Sequence, residues 1–192
     1  MKHERLDPFA RCISHLLCPP CVAVGGIMLA TAVQPSAKGW WCAAVYVTLA
    51  VLAPILVLLW LIQRGQVSDL DVTQRRERPK PFIAALCGAT VAWGVLHAVG
   101  APVLLIQFAA AHMAVLATIL LITVYWKISV HSAGAAGVAT LVFSMLGAQV
   151  FAFTPVVLVA WSRIYLKRHT FMQVLAGGIL GMIVFMLLLS TG

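Results

Sequence analysis

Long apolar runs separated by short polar stretches set the pattern of this chain. A bilayer core about 30 Å thick is crossed by about 20 residues of helix. Apolar runs that reach or approach this length fall at roughly 12–33, 40–63, 81–99, 102–125, 131–147, 149–162 and 169–190. The breaks carry turn and interface chemistry. Gln34-Pro35-Ser36-Ala37-Lys38-Gly39 ends the first run, and Trp40-Trp41 opens the second. Gly100-Ala101-Pro102 turns the third run into the fourth, which closes on Tyr125-Trp126. Trp and Tyr favour the headgroup level of a membrane. The fifth run is rich in Gly and Ala, as close helix packing requires, and Gly177, Gly178 and Gly181 fall on or near one face of the last. The expected fold is all-α: a single transmembrane domain over residues 1–192, built as a polytopic helix bundle of about six to seven spans.

Composition strengthens this reading. Hydrophobic residues make up 62% of the chain and charged residues 9%, against about 25% charged in soluble domains. The formal net charge is +8. Its cations lie in short loops between apolar runs, which points to phospholipid headgroups and membrane orientation rather than nucleic acid. The expected class is a multi-pass integral membrane protein whose constant partner is the bilayer. The five cysteines, Cys12, Cys18, Cys21, Cys42 and Cys87, are odd in number and have apolar neighbours, so no disulfide framework is expected. Cys18-Pro19-Pro20-Cys21 has redox or metal spacing but no second pair, and reads as small apolar residues at a helix start. Lys2, Arg5 and Arg11 precede an apolar stretch in the manner of a signal peptide, with Ala30-Thr31-Ala32 resembling a cleavage site. The first run is read as an uncleaved span.

Three polar stretches interrupt the apolar pattern: 64–80, 126–131 and 162–173. Two spans separate each from the next, so all three reach the same membrane face as the N-terminus. Of the 13 Lys and Arg residues, only Lys38 falls on the other side. The bias of Lys and Arg in short loops puts the polar face in the cytoplasm. With Arg78, Lys127 and Arg163 set aside as candidate substrate ligands, the bias still stands at nine to one.

The three stretches carry the candidate chemistry. In Arg78-Pro79 the proline fixes the turn into a helix and leaves the arginine at the membrane surface, to snorkel or to bind phosphate oxygens with its planar fork. His131 opens a helix whose first free N–H groups form an anion site, and Ser129 can cap that helix or donate to phosphate. His169 and Gln173 stand four apart, on one helix face. An oxygen at 173 can accept from one ring nitrogen of His169, which fixes the tautomer and leaves the other nitrogen free to attack. Arg163, across a short loop, is placed to hold a phosphate between the two histidines. His97 and His112, within spans, are expected to be buried, hydrogen-bonded histidines. They form no spaced metal set, and no metal or other cofactor is expected. His3 and His15 have no identifiable partners. Two histidines, two or more arginines and a serine on one face suit phosphoryl transfer through a histidine.

These residues resemble the type 2 phosphatidic acid phosphatase (PAP2) superfamily, relatives of the vanadium haloperoxidases. That pattern reads Lys, six residues, Arg-Pro; then Pro-Ser-Gly-His; then Ser-Arg, five residues, His, three residues, Asp. This chain has Arg78-Pro79, then Ser129 and His131, then Ser162-Arg163 with His169 five residues on. The resemblance covers roughly residues 64–181. It implies a PAP2-like core over about 64–190 and metal-independent hydrolysis of a lipid phosphate through a phosphohistidine. His169 is the implied nucleophile, His131 the acid for the leaving alcohol, and Arg78, Ser129 and Arg163 the phosphate ligands. Three positions depart from the pattern. Asp71 stands in place of the lysine, with Lys127 or Arg75 as candidates to supply that charge. Val130 stands in place of glycine. Gln173 stands in place of the aspartate that orients the nucleophile, with Asp69, Asp71 or Glu77 as candidate substitutes. The implied substrate is a lipid-linked phosphate monoester or diphosphate, such as phosphatidate, phosphatidylglycerol phosphate or a prenyl phosphate. The alternatives are a non-catalytic lipid-phosphate binder or transporter, and a lipid phosphotransferase.

Overall fold

The computed structural model describes residues 2–147 and 150–190. Among the described residues the chain is all helical, with no strand. Helices α1 (Lys2–Leu16) and α2 (Pro19–Val33) meet at a 49° bend. Pro19 and Pro20 occupy the first turn of α2, where their missing N–H groups cost nothing, and they force Cys18 into an extended conformation. The expected first span is therefore two helices. The first of them begins well before residue 12 and packs along α8 (Thr154–Tyr165), with Phe9 against Trp161 at 5.9 Å.

Ser36 caps the next helix by accepting from the Gly39 N–H at 2.9 Å. Helix α3 (Ala37–Tyr46), a π-helical segment (Val47–Leu52) and α4 (Ala53–Gln63) form one continuous span of 27 residues. Pro54 has no N–H for the carbonyl four residues back, so the ladder widens just ahead of it. The widened turn pushes the Leu49 carbonyl toward α5 (Pro79–Ala98), where a Cβ at Gly88 would strike it. Both α4 and α5 end in Schellman motifs. Gln66 N–H bonds the Leu61 carbonyl around Gly65, and Ala101 N–H bonds the Leu96 carbonyl around Gly100, both at 2.9 Å.

Helix α6 (Val103–Tyr125) runs through the middle of the bundle, followed by α7 (Val130–Leu146), α8 and α9 (Phe171–Leu189). Helices α7 and α9 pack most closely of all. Cβ atoms at Gly177 and Gly181 would fall on the Ser129 and Ala133 carbonyls, and one at Gly137 would enter the Phe185 ring. Gly178 faces open space, so the contact is made by one i, i+4 stripe.

Four segments are long and apolar enough to cross a membrane: Ala37–Gln63, Pro79–Ala98, Val103–Tyr125 and Phe171–Leu189. The bent pair α1–α2, counted as one span, brings the number to five. The bundle is thus a multi-pass one of four to five spans by length. The expected six to seven count two further apolar helices, α7 and α8, of 17 and 12 residues. At about 1.5 Å per residue these fall short of a 30 Å core. Leu56, Val91, Leu121 and Leu187 lie exposed on the outer faces of these spans, the surface that lipid covers.

Candidate active site

The three polar stretches meet at one end of the bundle and are stitched together in a ring. Arg75 Nη1 donates to the Val124 carbonyl at 2.7 Å, and Arg78 Nη1 to the Ile128 carbonyl at 2.9 Å. Lys127 Nζ donates to the Arg168 carbonyl at 2.8 Å, and Ser129 N–H to the Gln173 carbonyl at 3.1 Å. Arg168 Nη1 closes the ring by donating to Thr73 Oγ1 at 3.0 Å. Below this ring lies a cavity of about 410 Å³. Asp71, Arg78, His131, Arg163 and His169 line its polar end, and mostly apolar side chains, many from α2, the π segment, α4, α5 and α6, line the rest.

His169 sits in the turn between α8 and α9, 6% exposed. Thr170 caps α9 in a capping box with Gln173. The Thr170 N–H donates to Gln173 Oε1 at 3.2 Å, which fixes the orientation of that amide. The same oxygen lies 3.2 Å from His169 Nδ1. A carbonyl oxygen only accepts, so Nδ1 carries the proton and Nε2 carries the lone pair. Burial, reinforced by the charges of Arg78, Arg163 and Lys127, pushes the His169 pKa down to about 3. The ring is therefore neutral and nucleophilic at pH 7.

Arg163 is 2% exposed, near the C-terminal end of α8. Its Nη1 meets Ser14 Oγ of α1 at 2.7 Å and Asp71 Oδ2 at 3.0 Å. Its Nε is buried with no partner. Asp71 is drawn both ways: burial raises its pKa, but the charge and hydrogen bond of Arg163 outweigh this and hold it below the ordinary carboxylate value. The next residue, Val72, adopts φ +45°, a left-handed conformation that a β-branched side chain rarely takes. In this conformation its carbonyl accepts from Arg78 Nε at 3.2 Å. Strain of this kind gathers where a site over-determines the backbone. Burial and the nearby Arg163 charge push the Arg78 pKa down to about 10, which leaves it cationic at neutral pH. His131, 6% exposed, stands in the first turn of α7 with a buried Nε2 that has no partner.

Of the residues expected at the site, Arg78, His131, Arg163 and His169 line the cavity. Gln173 sits behind His169 as its orienting partner. Ser129 and Lys127, expected on the phosphate, are turned elsewhere. Ser129 is fully buried and caps α7, accepting from Ser132 N–H and Oγ. The Lys127 ammonium rests on the Arg168 carbonyl, and burial and neighbouring cations hold its pKa below the usual lysine value. None of the candidate substitute carboxylates bonds His169. Asp69 accepts from Thr73, Glu77 accepts from Ser68, and Asp71 is taken by Arg163. His112 is hydrogen-bonded within the bundle as expected, to Tyr46 at 2.6 Å. His97 is not buried: it lies exposed in the last turn of α5, against Trp93.

Sequence reasoning missed Ser14 and the Asp71–Arg163 pair. No signal marks Ser14, which comes from a helix 149 residues from its partner. Asp71 announced itself only by standing in register with the lysine of the PAP2 pattern. His15, Cys18 and Cys21 also line the cavity, and both cysteines are free thiols. Among the described residues no three His, Cys, Asp or Glu side chains gather as a metal-ligand set. Comparison of the chain with protein-family models, curated proteins and solved structures finds no match.

Proposed function

We propose that this chain hydrolyses a lipid-linked phosphate ester through a phosphohistidine, the activity implied by its resemblance to the PAP2 superfamily. The observation that carries the reading is a pair of buried nitrogens, His131 Nε2 and Arg163 Nε, left without partners in side chains that line one cavity with His169. An unsatisfied buried polar group costs about 1–3 kcal/mol. Two of them beside a neutral histidine and a second arginine argue for a ligand rich in acceptor oxygens.

On this reading Arg78 and Arg163 hold the phosphate. His169 Nε2 attacks phosphorus as the bond to the alcohol oxygen breaks, and His131, protonated once the phosphate charge sits beside it, gives that oxygen its proton. Water then attacks phosphorus and gives up its proton to the now neutral His131, the N–P bond breaks to return the lone pair to His169 Nε2, and phosphate leaves. Gln173 keeps the His169 ring in register throughout. The hydrocarbon tail lies along the apolar wall formed by Pro54 and Ile55 of α4 and Phe82 and Ala85 of α5. The PAP2-like core of about 64–190, the six to seven spans and the cytoplasmic polar face belong to the same proposal. It is tested by phosphate release from phosphatidate, phosphatidylglycerol phosphate and prenyl phosphate by purified protein in the presence of a chelator. The expected result is release that falls about a thousandfold or more in His169→Ala. Full activity in that variant contradicts the mechanism.

A second reading, a lipid-phosphate binder without turnover, is favoured by the Asp71 carboxylate on Arg163 and by the uncharged Gln173 behind His169. Binding with no phosphate release, unchanged in Gln173→Asp, supports it.

A further inference from the structure

The deeper wall of the cavity carries a polar group that the proposed chemistry does not use. His112 lies midway along α6 and lines the cavity, while its partner Tyr46, at the end of α3, does not reach it. Tyr46 is fully buried, and its hydroxyl lies 2.6 Å from His112 Nδ1. An ionisable residue inside a membrane bundle is expensive and needs a reason.

The hydrogen bond decides which ring nitrogen is the donor. A phenol has one proton to give. If Nδ1 carried a proton and donated to the phenol oxygen, the Tyr46 O–H would point into a packed interior. Phe108 stands edge-on to the Tyr46 ring at 5.7 Å, and among the described residues His112 is the hydroxyl's one hydrogen-bond partner. The satisfied arrangement has Tyr46 donating to Nδ1, which puts the His112 proton on Nε2. Among the described residues no carboxylate is paired with the ring. His112 thus presents a neutral N–H donor on the edge of its ring that faces away from Tyr46. Ala50, Val51, Pro54 and Leu116, which line the same cavity, offer no side-chain acceptor.

We infer that His112 is a substrate-recognition residue whose Nε2–H donates to an acyl-ester carbonyl, so that the preferred substrate is a diacylglycerol phosphate rather than a prenyl phosphate. This inference rests on the lipid-phosphate reading above. A diacylglycerol phosphate places two ester carbonyls one glycerol away from its phosphorus. A prenyl phosphate places hydrocarbon there and strands the donor. A site built to satisfy a buried polar group rejects an analogue that lacks its partner. Loss of one such hydrogen bond corresponds to roughly tenfold in affinity or kcat/KM.

The test uses the full chain in mixed micelles with three lipids: dioleoyl phosphatidate, its diether analogue without carbonyls, and farnesyl phosphate. Both phosphate release and the rise in unfolding temperature given by each lipid are measured. The ester is expected to be favoured roughly tenfold over the diether and over farnesyl phosphate in kcat/KM. His112→Phe should bring the ester-to-diether ratio close to one, while His112→Gln, which keeps an N–H donor, should retain most of it. A structural role for His112 would lower turnover of all three lipids together and leave the ratio unmoved. Equal handling of ester and diether by the unaltered protein overturns the inference and leaves the hydrolase reading standing. Preferential stabilisation by the ester without any phosphate release supports the inference and removes the hydrolase reading instead.

Discussion

The Thr170 N–H decides what His169 can do. By fixing the Gln173 amide it puts an acceptor on Nδ1 and a lone pair on Nε2. An amide orients the ring but adds no charge to stabilise the cationic form. Gln173→Glu keeps the length and the capping geometry while adding that charge. It should raise the His169 pKa and speed turnover about tenfold, as charge-assisted hydrogen bonds outweigh neutral ones by this much. A pH–rate profile and kcat check both effects. The depressed pKa also governs stability. Between pH 6.5 and about 3 the folded protein holds fewer protons at His169 than the unfolded chain does. Stability should therefore fall as pH drops through that window. Below the ordinary Asp value of 3.8, protonation of Asp71 adds a further loss, because its folded-state pKa is depressed. Thermal unfolding in a pH series follows both. Asp71→Asn removes the counter-charge of buried Arg163 and should cost about 1–3 kcal/mol, below the figure for a fully buried pair because Asp71 is partly exposed. It should at the same time tighten vanadate binding, since the anion then becomes the only counter-charge for that guanidinium. Lower stability with weaker vanadate binding would make Asp71 a ligand rather than a competitor.

At the level of elements, the sequence was most legible where local chemistry decides the structure. Ser36, Ser129 and Thr170 cap the helices they precede, and Gly65 and Gly100 end the helices they follow. It was least legible where a distant contact decides it. The π segment ahead of Pro54 has no mark in the hydropathy pattern, since a widened turn and an ordinary one are equally apolar. The break between α1 and α2 was written in Pro19-Pro20. An apolar run on both sides hides it, and the apolar pattern begins near residue 12 although helix already extends before it. Gly177, Gly178 and Gly181 fall on or near one face in the sequence pattern, but only Gly177 and Gly181 meet the carbonyls of the Ser129 and Ala133 backbone. Gly181→Ala should cost about 1–3 kcal/mol by pushing α9 off the Ala133 carbonyl. That shift moves His169 relative to His131, so activity should fall by more than the stability change alone explains. Gly178→Ala should be nearly silent in both, because nothing lies within 4 Å of its would-be Cβ.

For the whole molecule, counting spans between polar stretches is what made a site legible. The hydrogen bonds from Arg75, Arg78, Lys127 and Arg168 now join those same stretches at one end of the bundle. Parity could not show which cations face inward, because the carbonyls of a neighbouring polar stretch compete with a substrate for these side chains. Lys127 and Arg75 donate to carbonyls and do not line the cavity, while Arg163 and Arg78, the latter also bonded to the Val72 and Ile128 carbonyls, do line it. The Lys and Arg bias gives an orientation that can be checked directly. Arg76 is exposed in the loop after α4, and trypsin should cut there in inverted membrane vesicles but not in right-side-out ones. The opposite pattern would place the polar face outside the cell.

The central claim is that one phosphate is held between His131 and His169 by Arg78 and Arg163. Vanadate is a phosphate mimic that takes up a fifth ligand, so a structure of the protein with bound vanadate tests the claim most directly. The account predicts vanadium bonded to His169 Nε2, with its oxygens on Arg78, Arg163 Nε and His131 Nε2, and no binding in His169→Ala. Vanadate lodged elsewhere, or retained unchanged in that variant, would contradict it.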